Sequence, residues 1–319
     1  MSLSQMTPAQ ARVIDPILTT TARGYQNATL VGEALFPKVN VKVRGGKVIA
    51  FGKEAFLLYD TRRAPGTKVR RIQVGYEADP YTLTQHALEA QVPVELQQEA
   101  QQIPGIDLAG HHVNTVQDAI FLETEKEQAD LATRAANYPA DHVLTLSGTS
   151  QWSEYDPATS TANPSGVIQA AREKIRAKIG KYPNTLLMGP LVLTALSQQP
   201  KLLERTKYTS RDSLTPAILS ALWDIPKIVV GQAIYVDDAG AFHDVWGRNV
   251  ILAYVETRPL ASRGSPSYGY TYQLENYPIV EQAYYDASVK SWIYPVTDER
   301  APVLTGADAG FLIRDAVAP

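Results

Sequence analysis

The sequence predicts a mixed fold of helices and strands, α/β or α+β in its second half, on three observations. Residues 105–136 hold the clearest helix, with Ala109, Val113, Val116, Ile120 and Leu131 spaced as an apolar stripe. Residues 40–92 alternate apolar and polar side chains around Gly and Pro turns, the pattern of extended hairpins. From Asn163 onward the order runs helix, strand, helix, helix, strands.

Composition bounds the rest. The chain has 319 residues, 45% hydrophobic and 20% charged, enough to bury a large core or two intertwined domains. A net charge of −3 and a pI near 6.0 argue against a surface built as a whole to grip nucleic acid. The absence of cysteine excludes disulfides, thiol chemistry and thiolate metal sites. No apolar run approaches the ~20 residues of a membrane helix. "MSLSQMTPAQARVID" lacks a basic n-region followed by an apolar one, so synthesis and function in a cytoplasm are expected.

Taken in order, residues 1–40 have little sustained period and read as an extended arm with one helical turn before Phe36-Pro37. "VNVKVRGGKVIAFG" predicts a hairpin about Gly45-Gly46. The strands that follow break at Pro65-Gly66, making a long two-stranded excursion that needs a neighbour to lie on. The helix at 105–136 is predicted to be roughly 40 Å long and to end at Tyr138-Pro139, serving as a spine. Residues 137–166 are rich in Ser, Thr, Pro and Gly and form the best internal boundary. A helix follows, capped at Asn163-Pro164, burying Ile168, Ala171, Ile175 and Ile179 and stopping at Gly180. Its cations Arg172, Lys174, Arg176, Lys178 and Lys181 are assigned to the exposed face. "PNTLLMG" reads as a buried strand, residues 190–226 as helices, and the remainder as strands and turns.

Candidate chemistry is sparse. Glu123, Glu127 and Asp130 share a helical face and could hold a metal, but no Glu-x-x-His pair or matching second helix accompanies them. That face is read as solvated or intersubunit surface. His111 and His112 point about 100° apart on a helix and cannot chelate one ion together. Asp237, Asp238, His243 and Asp244 lack calcium-loop spacing, and Asp238-Ala239-Gly240 reads as a hairpin turn. The Gly-Lys pairs at Gly46, Gly52 and Gly180 lack the rest of a phosphate loop, and no Gly-x-Ser-x-Gly elbow occurs. Neither an enzyme nor a cofactor has positive support.

"DTRRAPGTKVRR" crowds Arg62, Arg63, Lys68, Arg70 and Arg71 around one turn. It could meet phosphates, with Tyr59 and Tyr76 nearby for stacking. A basic turn in an acidic chain more often meets acidic protein surface. "ETEKEQAD", with Glu123, Glu125 and Glu127, and "VELQQEA" offer such surface on a second copy of the chain.

The order of arm, twisted hairpin, spine helix, α/β region and returning strands resembles the major capsid proteins of tailed bacteriophages with the Hong Kong 97-type fold. "LFPKVNVKVRGGKVIAFGKEAFLLYDTRRAPG", "ETEKEQADLAT" and "SWIYPVTDERAPVLTGADAG" carry the resemblance across nearly the whole chain. It implies an α+β fold with an N-terminal arm at 1–40, an extended hairpin (E-loop) at 41–92, and a P domain with the spine helix at 93–140. An A domain at 141–270 follows, and strands at 271–319 complete the P domain. It further implies pentamers and hexamers in an icosahedral virion shell, DNA contacted only non-specifically, no membrane, no cofactor and no enzymatic activity. Scaffolding, portal and decoration proteins are the other implied partners, and an encapsulin-type nanocompartment is the alternative. Some members of the fold crosslink an E-loop lysine to a neighbour's asparagine. Lys47, Lys53 and Lys68, with Asn249 and Asn276, are available here, and no motif singles out a pair. The expected intersubunit contacts are Arg62, Arg63, Lys68, Arg70 and Arg71 against Glu123, Glu125 and Glu127.

Overall fold

The computed structural model describes residues 30–50, 58, 62, 77–101, 108–206, 214–257 and 267–319. In chain order the first strands are β1 (Lys38–Val41), β2 (Gly45–Ala50), β3 (Glu77–Thr82) and β4 (Thr84–Pro93). Helices α1 (Val94–Gln101) and α2 (Leu108–Thr133) follow, then β5 (Val143–Thr145), α3 (Pro164–Ile179) and β6 (Thr185–Met188). Next come α4 (Pro190–Gln198), α5 (Pro200–Thr206), α6 (Pro216–Trp223), β7 (Lys227–Val230), β8 (Ile234–Val236), β9 (Phe242–Asp244) and β10 (Val250–Ala253). The chain closes with β11 (Gly269–Leu274), β12 (Ile279–Val280), β13 (Tyr284–Asp286), β14 (Ser291–Leu304) and β15 (Gly310–Arg314).

Two sheets organise these elements. A five-stranded sheet has the order β5-β15-β10-β6-β7, parallel at its two outer pairs and antiparallel through β10. Strands β6 and β10 are buried along their whole length, as a sheet covered on both faces requires. The larger hydrophobic core lies around them and includes Trp152, Trp223, Trp246 and Ile168. The six-stranded sheet is built on the 14-residue β14, which pairs with β4, β11, β12 and β13. Helix α2 lies against it over a second core of Ala90, Val92, Val113, Ile120, Val280, Tyr294 and Val296.

Helix α3 forms as its sequence predicts. The Asn163 side chain accepts from the Gly166 N–H at 3.1 Å, Pro164 occupies the first turn, and Gly180 closes the helix at φ 71°. Such caps contribute about 1 kcal/mol, because they satisfy backbone groups the helix leaves open. Ile168, Ala171, Ile175 and Ile179 are buried as expected. Arg172 is not on the exposed face. It is buried and donates to Asp224 Oδ2 at 2.8 Å and to Gln169 Oε1 at 3.0 Å, pinning α3 to the end of α6.

Two further expectations are corrected. Helix α2 ends at Thr133, and a 3-10 turn at Ala135–Asn137 precedes Tyr138-Pro139. Gly45-Gly46 is not a hairpin turn. Strand β1 instead runs parallel to β11, while β2 pairs antiparallel with β3, far along the chain. Local alternation cannot reveal a strand whose partner lies more than two hundred residues away. The Asp237–Ala241 turn does form the β8–β9 hairpin, with Asp237 Oδ1 accepting from the Ala239 and Ala241 N–H groups and Gly240 at φ 81°.

Candidate intersubunit surfaces

Strands β2 and β3 are tied to the six-stranded sheet. Between β1 and β2 the Arg44 guanidinium forks onto Glu299 of β14, Nε to Oε2 at 2.6 Å and Nη2 to Oε1 at 2.8 Å. Tyr277 also donates its hydroxyl to Glu299 Oε1, at 3.2 Å. Glu299 is buried, and its carboxylate holds the Arg44 pKa above the ordinary range. Tyr81 of β3 stacks on Tyr272 of β11 at 4.3 Å, and Gly46 lies so close to the Tyr81 ring that a Cβ would not fit. Arg44→Ala is expected to cost about 2 kcal/mol. It leaves a buried carboxylate without its cation, and the half-exposed arginine limits the loss. Urea unfolding checks the magnitude, and amide exchange should quicken first in β2 and β3.

Of the cationic turn, Arg62 is exposed, while Arg63, Lys68, Arg70 and Arg71 lie outside the described residues. The three glutamates expected to face a neighbour prove to differ. Glu125 is buried and turned inward. Its Oε1 accepts from the Val31 N–H at 2.9 Å and the Trp246 indole N–H at 2.6 Å, and its Oε2 from the Gly32 N–H at 2.7 Å. Burial raises its pKa, and these three donors oppose the rise. It therefore joins the segment before β1, helix α2 and the turn after β9 within one protomer. Gly32 must be glycine, because a side chain there would collide with Gln128 and Glu125.

Glu123 is exposed but engaged within the protomer, 3.1 Å from His86 Nδ1 on β4 and 3.4 Å from Arg300 Nη2 on β14. Glu127 is half-buried on the same face. Of the other carboxylates in the acidic stretches, Glu95 on α1 and Asp130 on α2 remain exposed, with Asp130 held by Lys126 at 2.5 Å. The residues that organise this region, Arg44, Asp298, Glu299 and Arg300, were missed from the sequence. Their signal was three consecutive charges inside an otherwise apolar strand. In β14 all three are buried, which is rare unless each is paired.

Two exposed apolar patches complete the surface. Register places Val236 opposite Phe242 and Ile234 opposite Asp244, so Ile234, Val236 and Phe242 share one face of the β8–β9 hairpin. That face is open to solvent, with Phe242 at 72%. The opposite face carries Tyr235, whose ring lies 5.1 Å from Lys126 Nζ. At the end of the six-stranded sheet, Tyr285 and Trp292 pack at 5.8 Å and are also exposed. Clustered apolar exposure of this kind marks association surface. Among the described residues no helix is long and apolar enough to cross a membrane.

Comparison with known proteins shows the class to which this architecture belongs, that of phage capsid proteins. The chain is 36% identical to the major capsid protein of Burkholderia phage BcepMu over 312 residues, covering 96% of this chain and 97% of that one. It is 29% identical to the major capsid protein of Pseudomonas phage JBD67 over 69% of each chain. The crystal structure of a phage-related protein from Bordetella bronchiseptica RB50 superposes with a TM-score of 0.81 at 48% identity, covering 97% of this chain and 99% of that one. The mature capsid of bacteriophage PhiM1 matches with a TM-score of 0.51 at 12% identity, over 98% and 92% of the two chains, a likeness of fold alone. No protein-family model matches the chain. The chain belongs to the family of phage major capsid proteins, and its α+β fold is of the Hong Kong 97 type.

Proposed function

We propose that this protein builds the icosahedral head shell of a phage by self-assembly into pentamers and hexamers around packaged DNA. The observation that carries the reading is its identity with a phage major capsid protein along nearly the full length of both chains. Its role is structural. Copies of the chain are its partners, the virion shell is its location after assembly in the host cytoplasm, and DNA meets its near-neutral surface only non-specifically. An encapsulin-type compartment has narrower support, a fold likeness to the Synechococcus elongatus encapsulin at 13% identity.

The hairpin between β2 and β3 is the proposed E-loop, with Arg62, Arg63, Lys68, Arg70 and Arg71 near its tip facing a neighbouring copy. Glu125 is buried and Glu123 is engaged within its own protomer, so the proposed acceptors are other exposed carboxylates such as Glu95. Such pairs fix register more than they add energy, and the exposed apolar faces supply the area. Reversing two charges, Arg70→Glu with Arg71→Glu, is expected to abolish particles while leaving the subunit's circular dichroism unchanged. Intact assembly with weakened nucleic-acid binding would overturn this role for the hairpin.

A further inference from the structure

The acidic face of α2 meets a histidine that lies 37 residues before Glu123 in the chain. Strand β4 carries His86 across Glu123 and Glu127, which stand one helical turn apart on α2. One ligand atom from each, an imidazole nitrogen and two carboxylate oxygens, all lie within 4.8 Å of one another. Tetrahedral donors around a metal at ~2.1 Å lie about 3.4 Å apart, a spacing that small side-chain rotations reach from here. Glu127 Oε2 is buried and accepts no hydrogen bond. A buried carboxylate oxygen without a donor is costly, and a cation would satisfy it.

Arg300 is the competing cation. Its Nη2 donates to the Ile120 carbonyl at 3.1 Å and Nη1 to Asp298 Oδ2 at 3.3 Å, while its contact with Glu123 is longest at 3.4 Å. Glu123 is exposed and can turn toward a metal while Arg300 keeps its two buried acceptors.

We infer that His86, Glu123 and Glu127 bind a divalent transition-metal cation of the zinc class, which clamps strand β4 to the spine helix. One imidazole with two carboxylates favours such an ion over calcium or magnesium, which prefer oxygen donors alone. Water completes the shell on the open side. Because only Leu83 separates β4 from β3, the clamp holds the root of the extended hairpin.

The test is isothermal titration of the metal-stripped full-length chain with ZnCl2, joined to X-ray absorption of the loaded protein. One high-affinity site per chain is expected, with one imidazole and otherwise oxygen donors. Affinity should fall at least tenfold in His86→Gln and in Glu127→Gln, and stay unchanged in His111→Ala and His243→Ala. Absence of a stoichiometric site, two imidazoles in the absorption spectrum, or wild-type affinity in His86→Gln would each overturn the inference. The absorption measurement decides on the wild-type chain even where a variant fails to fold.

Discussion

Glu125→Ala is expected to destabilise the subunit by about 3 kcal/mol, because it strands the Val31 and Gly32 N–H groups and the Trp246 indole N–H in a dry interior. Each stranded donor costs ~1–3 kcal/mol, and a water entering the vacated space recovers part of that. Glu125→Gln tests the cause separately. It keeps one accepting oxygen but turns an amide N–H toward a backbone donor, so about half the loss should persist. Denaturant unfolding gives the magnitude, and hydrogen exchange gives the place, with Val31 and Gly32 losing protection first. An alanine variant as stable as the parent would show that the carboxylate is not what joins the segment before β1, helix α2 and the turn after β9.

Gly189→Ala is expected to cost about 3 kcal/mol or more. Gly189 links β6 to α4, and its Cα faces the Gly247 carbonyl so closely that a Cβ would overlap the oxygen. The obstacle is backbone, held by Gly247 at φ 55° between Trp246 and the Arg248 carbonyl that pairs with Ala316, so no flexible side chain can yield. Gly148→Ala is the contrasting case. Its Cβ would meet open space, and only the positive φ of 52° is strained, at about 1 kcal/mol. Comparing the two thermal midpoints separates steric collision from backbone preference. Equal shifts would contradict the collision.

What the sequence disclosed depended on how near each partner lay. The ends and apolar face of helix α3 were legible, since Asn163, Pro164, its isoleucines and Gly180 all act within a few turns, whereas the inward turn of Arg172 depends on Asp224 beyond α6. Helix α2 was legible in place, but it stops at Thr133 and its buried side includes Gln117, Thr124, Glu125 and Gln128. Glu125 and Gln128 are buried because their partners arrive from elsewhere, whereas the Thr124 hydroxyl returns to the Ile120 carbonyl of its own helix. Glu125 reaches Gly32 across 93 residues, and Arg44 reaches Glu299 across 255. Spacing rules see neither separation, so an inward carboxylate looked like one more charge on a solvated face. Likewise β1 was assigned to a local hairpin because nothing near it announces β11. The capsid resemblance, by contrast, rested on whole stretches and the order of parts, which local misreadings do not disturb.

Self-assembly is tested by electron microscopy of the purified chain. Closed icosahedral shells, roughly tens of nanometres wide, with five-fold and six-fold clusters resolved on averaging, are expected. Uniformly monomeric protein at concentrations where phage shells form would contradict self-assembly.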